Sequence, residues 1–254
     1  MILTADIGNS NIVLGVFEGD ILKLTLRIKT DATRTRDEYA INLNSMLKIN
    51  NINVSDIDGA IISSVVPNLS APFAGAVEML IGKTPLIVGP GVKTGLDIRI
   101  DNPSQLGCDM VVDAVAAIRI YGAPAVVIDM GTATTFSAIG KKGEYLGAAI
   151  TPGVRISMNA LAQNAAQISQ INIDKPRHAI GTNTTDSLKS GIVLGYASML
   201  DGIIERFEKE IGAPCNVIAT GGLSSLIIPH CKRKIVHDKD LLIKGLLLIY
   251  NKNI

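Results

Sequence analysis

Ala5-Asp6-Ile7-Gly8-Asn9-Ser10-Asn11 and Ile128-Asp129-Met130-Gly131-Thr132-Ala133-Thr134 share one plan. Each places an aspartate, one spacer and a glycine after a short apolar run, adds small polar residues, and returns to an apolar run. The flanking runs, Ile2 to Ala5 and Asn11 to Phe17 in the first copy and Ala125 to Ile128 in the second, read as buried strands. Behind each copy comes a turn with glycine and an acidic residue, Glu18-Gly19-Asp20 and Lys142-Gly143-Glu144. The two aspartates stand about half the chain apart. A motif repeated at that spacing predicts a duplicated α/β domain with a cleft between the copies.

The repeated hairpin has a chemical logic. Glycine permits a tight turn and lets backbone N–H groups approach phosphate oxygens, while Asn, Ser and Thr add donors. An aspartate carries the same sign as phosphate, so it acts there through a metal ion or water. One Asp-x-Gly hairpin is a common structural turn; two copies point to a nucleotide-phosphate cleft. A third element, Ala219-Thr220-Gly221-Gly222, follows the apolar run Asn216 to Ala219. It can receive a flat adenosine or be only a loop.

Outward from these motifs the chain reads as mixed α/β. Leu22, Leu24, Leu26 and Ile28 alternate with polar residues at the period of a half-buried strand. Thr35 and Glu38 have the spacing of a capping box ahead of a helix carrying Ile41, Leu43, Met46, Leu47 and Ile49. Ala60 to Val66 and Leu86 to Val88 read as strands, and Met110 to Tyr121 as a helix ended by Gly122-Ala123-Pro124. Tyr121 to Pro124 is the best boundary, dividing the chain into an N-terminal lobe, 1–121, and a C-terminal lobe, 122–254.

Composition narrows the function classes. Of 254 residues 47% are hydrophobic and 19% charged, with a net charge of +1, so the chain is globular and has no electrostatic pull towards nucleic acid or an anionic membrane. The densest basic spot, Lys232-Arg233-Lys234, reads as a solvated surface. No apolar run approaches the roughly 20 residues that span a bilayer, and Asp6 falls where a signal peptide has its apolar stretch. Cys108, Cys215 and Cys231 lie far apart without metal-ligand spacing. A cytoplasmic location is the expectation. Gly82-Lys83-Thr84 is no P-loop, because Val77 stands where the pattern needs glycine. His178, His230 and His237 read as isolated surface histidines.

The order Asp6-Ile7-Gly8-Asn9-Ser10, Gly107-Cys108-Asp109, Asp129-Met130-Gly131-Thr132, Gly147 to Gly153 and Thr220-Gly221-Gly222 resembles the type III pantothenate kinases, which include members named after the Bvg accessory factor. The likeness covers essentially the whole chain. It implies duplicated actin-like ATPase (ribonuclease H-like) domains, mixed sheets flanked by helices, with ATP in the interdomain cleft. It further implies that Asp6, Ile7, Gly8, Asn9, Ser10, Asn11, Ile12 and Val13 form the first loop for ATP and Mg²⁺, and that Thr132 contacts ATP from the second. Asp129 would help hold a monovalent cation, K⁺ or NH₄⁺. Gly107, Cys108, Asp109, Met110 and Thr184 would meet pantothenate, with Asp109 as the base that takes its hydroxyl proton. Read from the residues alone, Asp109 precedes an apolar helix and is more readily a helix cap than a base.

The family assembles as homodimers. It carries Arg where this chain has Met110, and a Tyr missing from Arg99-Ile100-Asp101-Asn102-Pro103. Losing a guanidinium beside a carboxylate predicts pantothenate binding weaker by about 1.5–3 kcal/mol, and Met110→Arg as its remedy. Two other readings stay open: a kinase of another small hydroxy acid, and a degenerate member with a regulatory, transcription-linked role.

Overall fold

The structure, a computed structural model, describes residues 1–165 and 171–254. The chain forms two compact units. The first comprises Met1–Gly95, Asn102–Ala116 and Leu241–Ile254; the second comprises Leu96–Asp101 and Ala117–Asp240.

In the first unit β1 (Ile2–Ile7) and β2 (Asn11–Glu18) make an antiparallel hairpin, and β3 (Ile21–Lys29) runs antiparallel to β2. After α1 (Arg36–Ile49) the chain enters β4 (Gly59–Ser64), parallel to β1. Beyond α2 (Pro67–Ile81) comes β5 (Leu86–Ile87), parallel to β4. Alternation along β1 decides the layering. Leu3, Ala5 and Ile7 face a core shared with Tyr39, Leu43 and Leu47 of α1 and Leu69, Phe73 and Val77 of α2. Thr35 and Glu38 form the expected capping box on α1. The strand read as reaching Val66 stops at Ser64, because Pro67 opens α2 and pre-sets its first turn.

The second unit opens with β6 (Asp97–Ile98). Helix α3 (Cys108–Tyr121) begins in the first unit and enters the second at Ala117. Then come β7 (Ala125–Met130), β8 (Ala133–Ile139), β9 (Glu144–Pro152), α4 (Val154–Asn164), α5 (Thr184–Ile211), β10 (Asn216–Thr220), α6 (Ser224–Ile227) and β11 (Val236–His237). Val126, Ile128 and Met130 of β7 share a core with Val193, Ala197, Leu200 and Ile204 of α5. Full burial of such side chains contributes about 1.5–3 kcal/mol each.

The duplication is visible in the strand orders. The first sheet runs β3-β2-β1-β4-β5; the second runs β9-β8-β7-β10-β11 with β6 added beyond β9. Directions match strand for strand: two antiparallel pairs on one side of the central strand, two parallel pairs on the other. Both acidic turns lie between paired strands, with Gly19 and Gly143 at positive φ.

The final helix, α7 (Leu241–Asn253), returns to the first unit. Its Ile243 and Leu247 pack on Phe17, its Gly245 backs onto Val112, and Tyr250 covers Gly59 so closely that any side chain at Gly59 would strike the phenol. Among the described residues no helix is long and apolar enough to cross a membrane.

Candidate active site

The first group of candidate residues sits at the carboxyl ends of β1 and β4. Gly8 closes the turn after β1, its N–H donating to the Asn11 carbonyl at 3.0 Å, and a Cβ there would lie only 3.1 Å from that oxygen. Thr30 Oγ1 donates to the Gly8 carbonyl at 2.6 Å and holds the turn from β3's side. Asn9, Ser10 and Asn11 are exposed, as donors for a ligand need to be, whereas Ile7 and Ile12 are fully buried and offer a ligand only their backbone.

Parallel pairing sets Asp6 beside Ser63, and Ile7 beside Ser64. From that end of β4 the Ser63 hydroxyl donates to Cys108 Sγ at 3.1 Å, and the thiol donates to the Ser64 carbonyl at 3.1 Å. Asp109 is the next residue. It lies within the first turn of α3, which starts two residues before the helix expected from Met110 onward, so it is not the residue that caps the helix. Its Oδ1 accepts the Met110 N–H at 2.8 Å. A side chain at Gly107 would run into this carboxylate, which explains the glycine. Burial pushes the Asp109 carboxyl above the usual range, against the pull of the Met110 amide and its own. A carboxylate so placed takes up a proton more readily than one in water.

The second group surrounds Asp129, which pairs with Thr135 of β8 and Thr220 of β10. Asp129–Thr220 in the second sheet therefore occupies the positions of Asp6–Ser63 in the first. Three glycines converge here. A Cβ on Gly131 would lie 3.5 Å from Asp129 Oδ2. Gly221, at φ +93°, presses against the Met130 backbone. Gly153 donates its N–H to the Thr132 carbonyl at 3.1 Å and leaves no room for a side chain against the Gly131 and Thr132 carbonyls. Ser224 Oγ donates to the Gly221 carbonyl at 2.6 Å and lies 2.8 Å from His237 Nε2. His237 was expected to be isolated; the pairing of β11 with β10 brings it to Ser224.

A cavity of about 470 Å³ opens beside this loop, lined by Leu223, Arg155, Met158, Asn159 and Asn172 among others. Thr184 stands exposed at the first residue of α5, after the Asn183 cap, and is tied to neither group. Neither group was complete in the sequence reading, which passed over Ser63 and Ser64; the signal was a polar pair ending an otherwise apolar strand, Gly59 to Ser64.

Small residues, backbone amides and single carboxylates at the strand ends fit nucleotide phosphates. Among the described residues no cluster of three or more His, Cys, Asp or Glu is placed to hold a metal ion. A divalent cation that arrives on phosphates needs only one or two carboxylates, and each strand end offers one, Asp6 in the first unit and Asp129 in the second.

The sequence profile of the type III pantothenate kinases matches residues 2–206. The chain belongs to the type III pantothenate kinase family. It is 45% identical to a type III pantothenate kinase of Halalkalibacterium halodurans over 254 residues, covering all of both chains. Among solved structures, a Baf family protein from Campylobacter jejuni superposes with a TM-score of 0.61 at 21% identity, over 99% of this chain and 98% of that one. The activator of a Clostridium difficile 2-hydroxyisocaproyl-CoA dehydratase gives 0.59 at 12% identity, over 98% and 93%. These two likenesses speak for the fold alone, mixed α/β with two sheets flanked by helices.

Against the type III pantothenate kinase pattern, Met110 now has a structural setting. It is 9% exposed, so its side chain is seated in the protein. Arg99 is engaged with Asp97 at 2.8 Å, while Arg155 lines the cavity of the second unit. Met110→Arg is expected to lower the melting temperature, because a guanidinium in that seat loses hydration without a paired carboxylate. Thermal melting checks this. A lower KM for pantothenate in the same variant would show that the new side chain leaves the seat and reaches the substrate.

Proposed function

We propose that this chain transfers the γ-phosphoryl group of ATP to the primary hydroxyl of pantothenate, giving 4′-phosphopantothenate and ADP, the first step towards coenzyme A. Family membership over the full length supports the choice of acceptor. The observation that carries the chemistry is Asp109, a carboxylate with raised proton affinity, next to Cys108, which is bonded to the end of β4, the strand that pairs with β1 and its Asp6 loop.

Phosphoryl transfer has a loose transition state, so catalysis is mainly alignment and charge neutralisation, with one carboxylate to orient the nucleophile. In this reading Asp109 takes the hydroxyl proton as the oxygen attacks the γ-phosphorus. The bond to the β–γ bridging oxygen breaks, and ADP leaves with the electron pair. Asp6 to Val13 and Thr132 contact ATP; Gly107 to Met110 and Thr184 contact pantothenate. A divalent ion bound with the ATP would neutralise phosphate charge, with Asp6 meeting it directly or through water.

Asp129 meets phosphates of its own sign, so a monovalent cation belongs beside it in this proposal. Turnover is expected to require K⁺ or NH₄⁺ as well as Mg²⁺ and to fall when Na⁺ is the sole monovalent ion. Equal rates in the three salts would remove that cation from Asp129. The working unit is proposed to be a homodimer. Supporting it, Leu146 and Ile150 of β9 and Ile156 and Leu161 of α4 are apolar yet exposed, Ile150 to 67%. ADP formation by the purified protein, with and without pantothenate, tests the main proposal; a rate that pantothenate does not raise would overturn it.

A further inference from the structure

We propose that Ser63 is a positioning residue for Asp109, acting through Cys108. The inference rests on the reading of Asp109 as the base.

Ser63 is fully buried at the end of a strand whose preceding residues, Ala60, Ile61 and Ile62, are apolar core. A buried hydroxyl is costly unless it is hydrogen-bonded, and this one donates to Cys108 Sγ at 3.1 Å. The thiol passes its own S–H to the Ser64 carbonyl at 3.1 Å. Burial pushes the Cys108 thiol up, against the pull of its bonds to Ser63 and Ser64, so the sulfur keeps the proton it donates. That also makes Cys108 a poor nucleophile.

The two bonds fasten the first residue of α3 to β4. They matter because the first turn of a helix is its least constrained part: its N–H groups have no partner one turn back. Asp109 sits in that turn, one residue beyond the fastening. Ser63 is also the register partner of Asp6, which opens the first phosphate loop. One residue is thus the ladder partner of the strand position that opens the loop and, through its hydroxyl, the anchor of the helix residue next to the carboxylate. It sets where Asp109 stands relative to the Asp6 loop. In-line transfer is sensitive to such placement: a shift of about 1 Å can cost on the order of 100-fold in rate.

The test uses the full-length protein with ATP and pantothenate. Ser63→Ala is expected to lower kcat by about 10-fold, part of the cost of such a misplacement, while KM for ATP changes less than about twofold. In the Asp109→Asn background the same substitution is expected to have no further effect on kcat, since the group it positions is gone. Cys108→Ser, which keeps a donor and an acceptor, should retain more of the rate than Cys108→Ala. Wild-type kcat in Ser63→Ala would overturn the proposal. So would an equal fractional loss in both backgrounds, the mark of a merely structural serine. The outcomes separate the two readings. If Asp109→Asn itself keeps the rate, the base assignment fails and the positioning role falls with it. If Asp109→Asn loses the rate and Ser63→Ala does not, only the positioning role fails.

Discussion

Asp109→Asn is expected to leave ATP affinity nearly unchanged and to lower the transfer rate by roughly 10²–10⁴-fold, the range for a lost general base. Single-turnover kinetics with nucleotide binding measured separately would check it, and near-wild-type transfer would remove Asp109 from its role. The same residue fixes the sign of two pH effects. A base works deprotonated, so the rate should fall as pH drops through the folded-state pKa. That pKa is raised by burial, so the acidic limb should lie above the ordinary carboxylate range. Stability moves the other way. A carboxyl with a folded pKa above its unfolded value contributes stability that is full below the unfolded pKa and is lost as pH rises through the folded one. At neutral pH the charged Asp109 is therefore a burden on the fold. Asn at this position should leave the melting temperature unchanged or raised while the rate collapses. A fall in both would mark a role in folding instead.

Gly153→Ala should act on the second loop by a different route. The backbone at Gly153, φ −71° and ψ 157°, suits any residue, so conformation is not the obstacle. Space is. The added methyl would fall on the carbonyls of Gly131 and Thr132, which are backbone atoms and have no rotamer to yield. Overpacking of this kind costs about 1–3 kcal/mol. For a chain of this size that corresponds to a melting temperature lower by roughly 2–12 °C. Because the displaced atoms belong to the Asp129–Thr132 hairpin, KM for ATP should rise as well. Gly191→Ala is the control: nothing lies within 4 Å of its added Cβ on α5, so helix propensity should leave that variant as stable as wild type or slightly more so. Gly153→Ala behaving like the control would show that the loop can reshape around a methyl group.

Much of this architecture was legible because it is written in local pattern. The Asp-x-Gly hairpins, the capping box at Thr35 and the strand at Asn216 each depend on neighbours within a few positions, and each appears where the spacing placed it. What stayed hidden depends on partners far along the chain. Ser63 reads as an ordinary polar strand end until α3 delivers Cys108 to it, 45 residues later. His237, exposed as its surroundings in the sequence suggest, reads as isolated until β11 pairs beside β10 and brings it to Ser224. Leu241 to Tyr250 is an apolar run broken by Lys244, and nothing local says that it packs on Phe17. Met110 illustrates the opposite limit: comparing motifs flagged the missing Arg, while only packing revealed that the methionine is a seated side chain.

The return of α7 to the first unit has a consequence for biosynthesis. Phe17 and the face of the sheet around it emerge from the ribosome well before Ile243 and Leu247, which cover them. At about 5–20 residues per second, that interval is on the order of 10–50 s. The first-made half of the molecule thus spends its synthesis with one side of its sheet uncovered. A stop codon that removed only the last turns of α7 would leave the earliest strands permanently in that exposed state, open to holdase chaperones and proteases, although every residue of both Asp-x-Gly hairpins had been made.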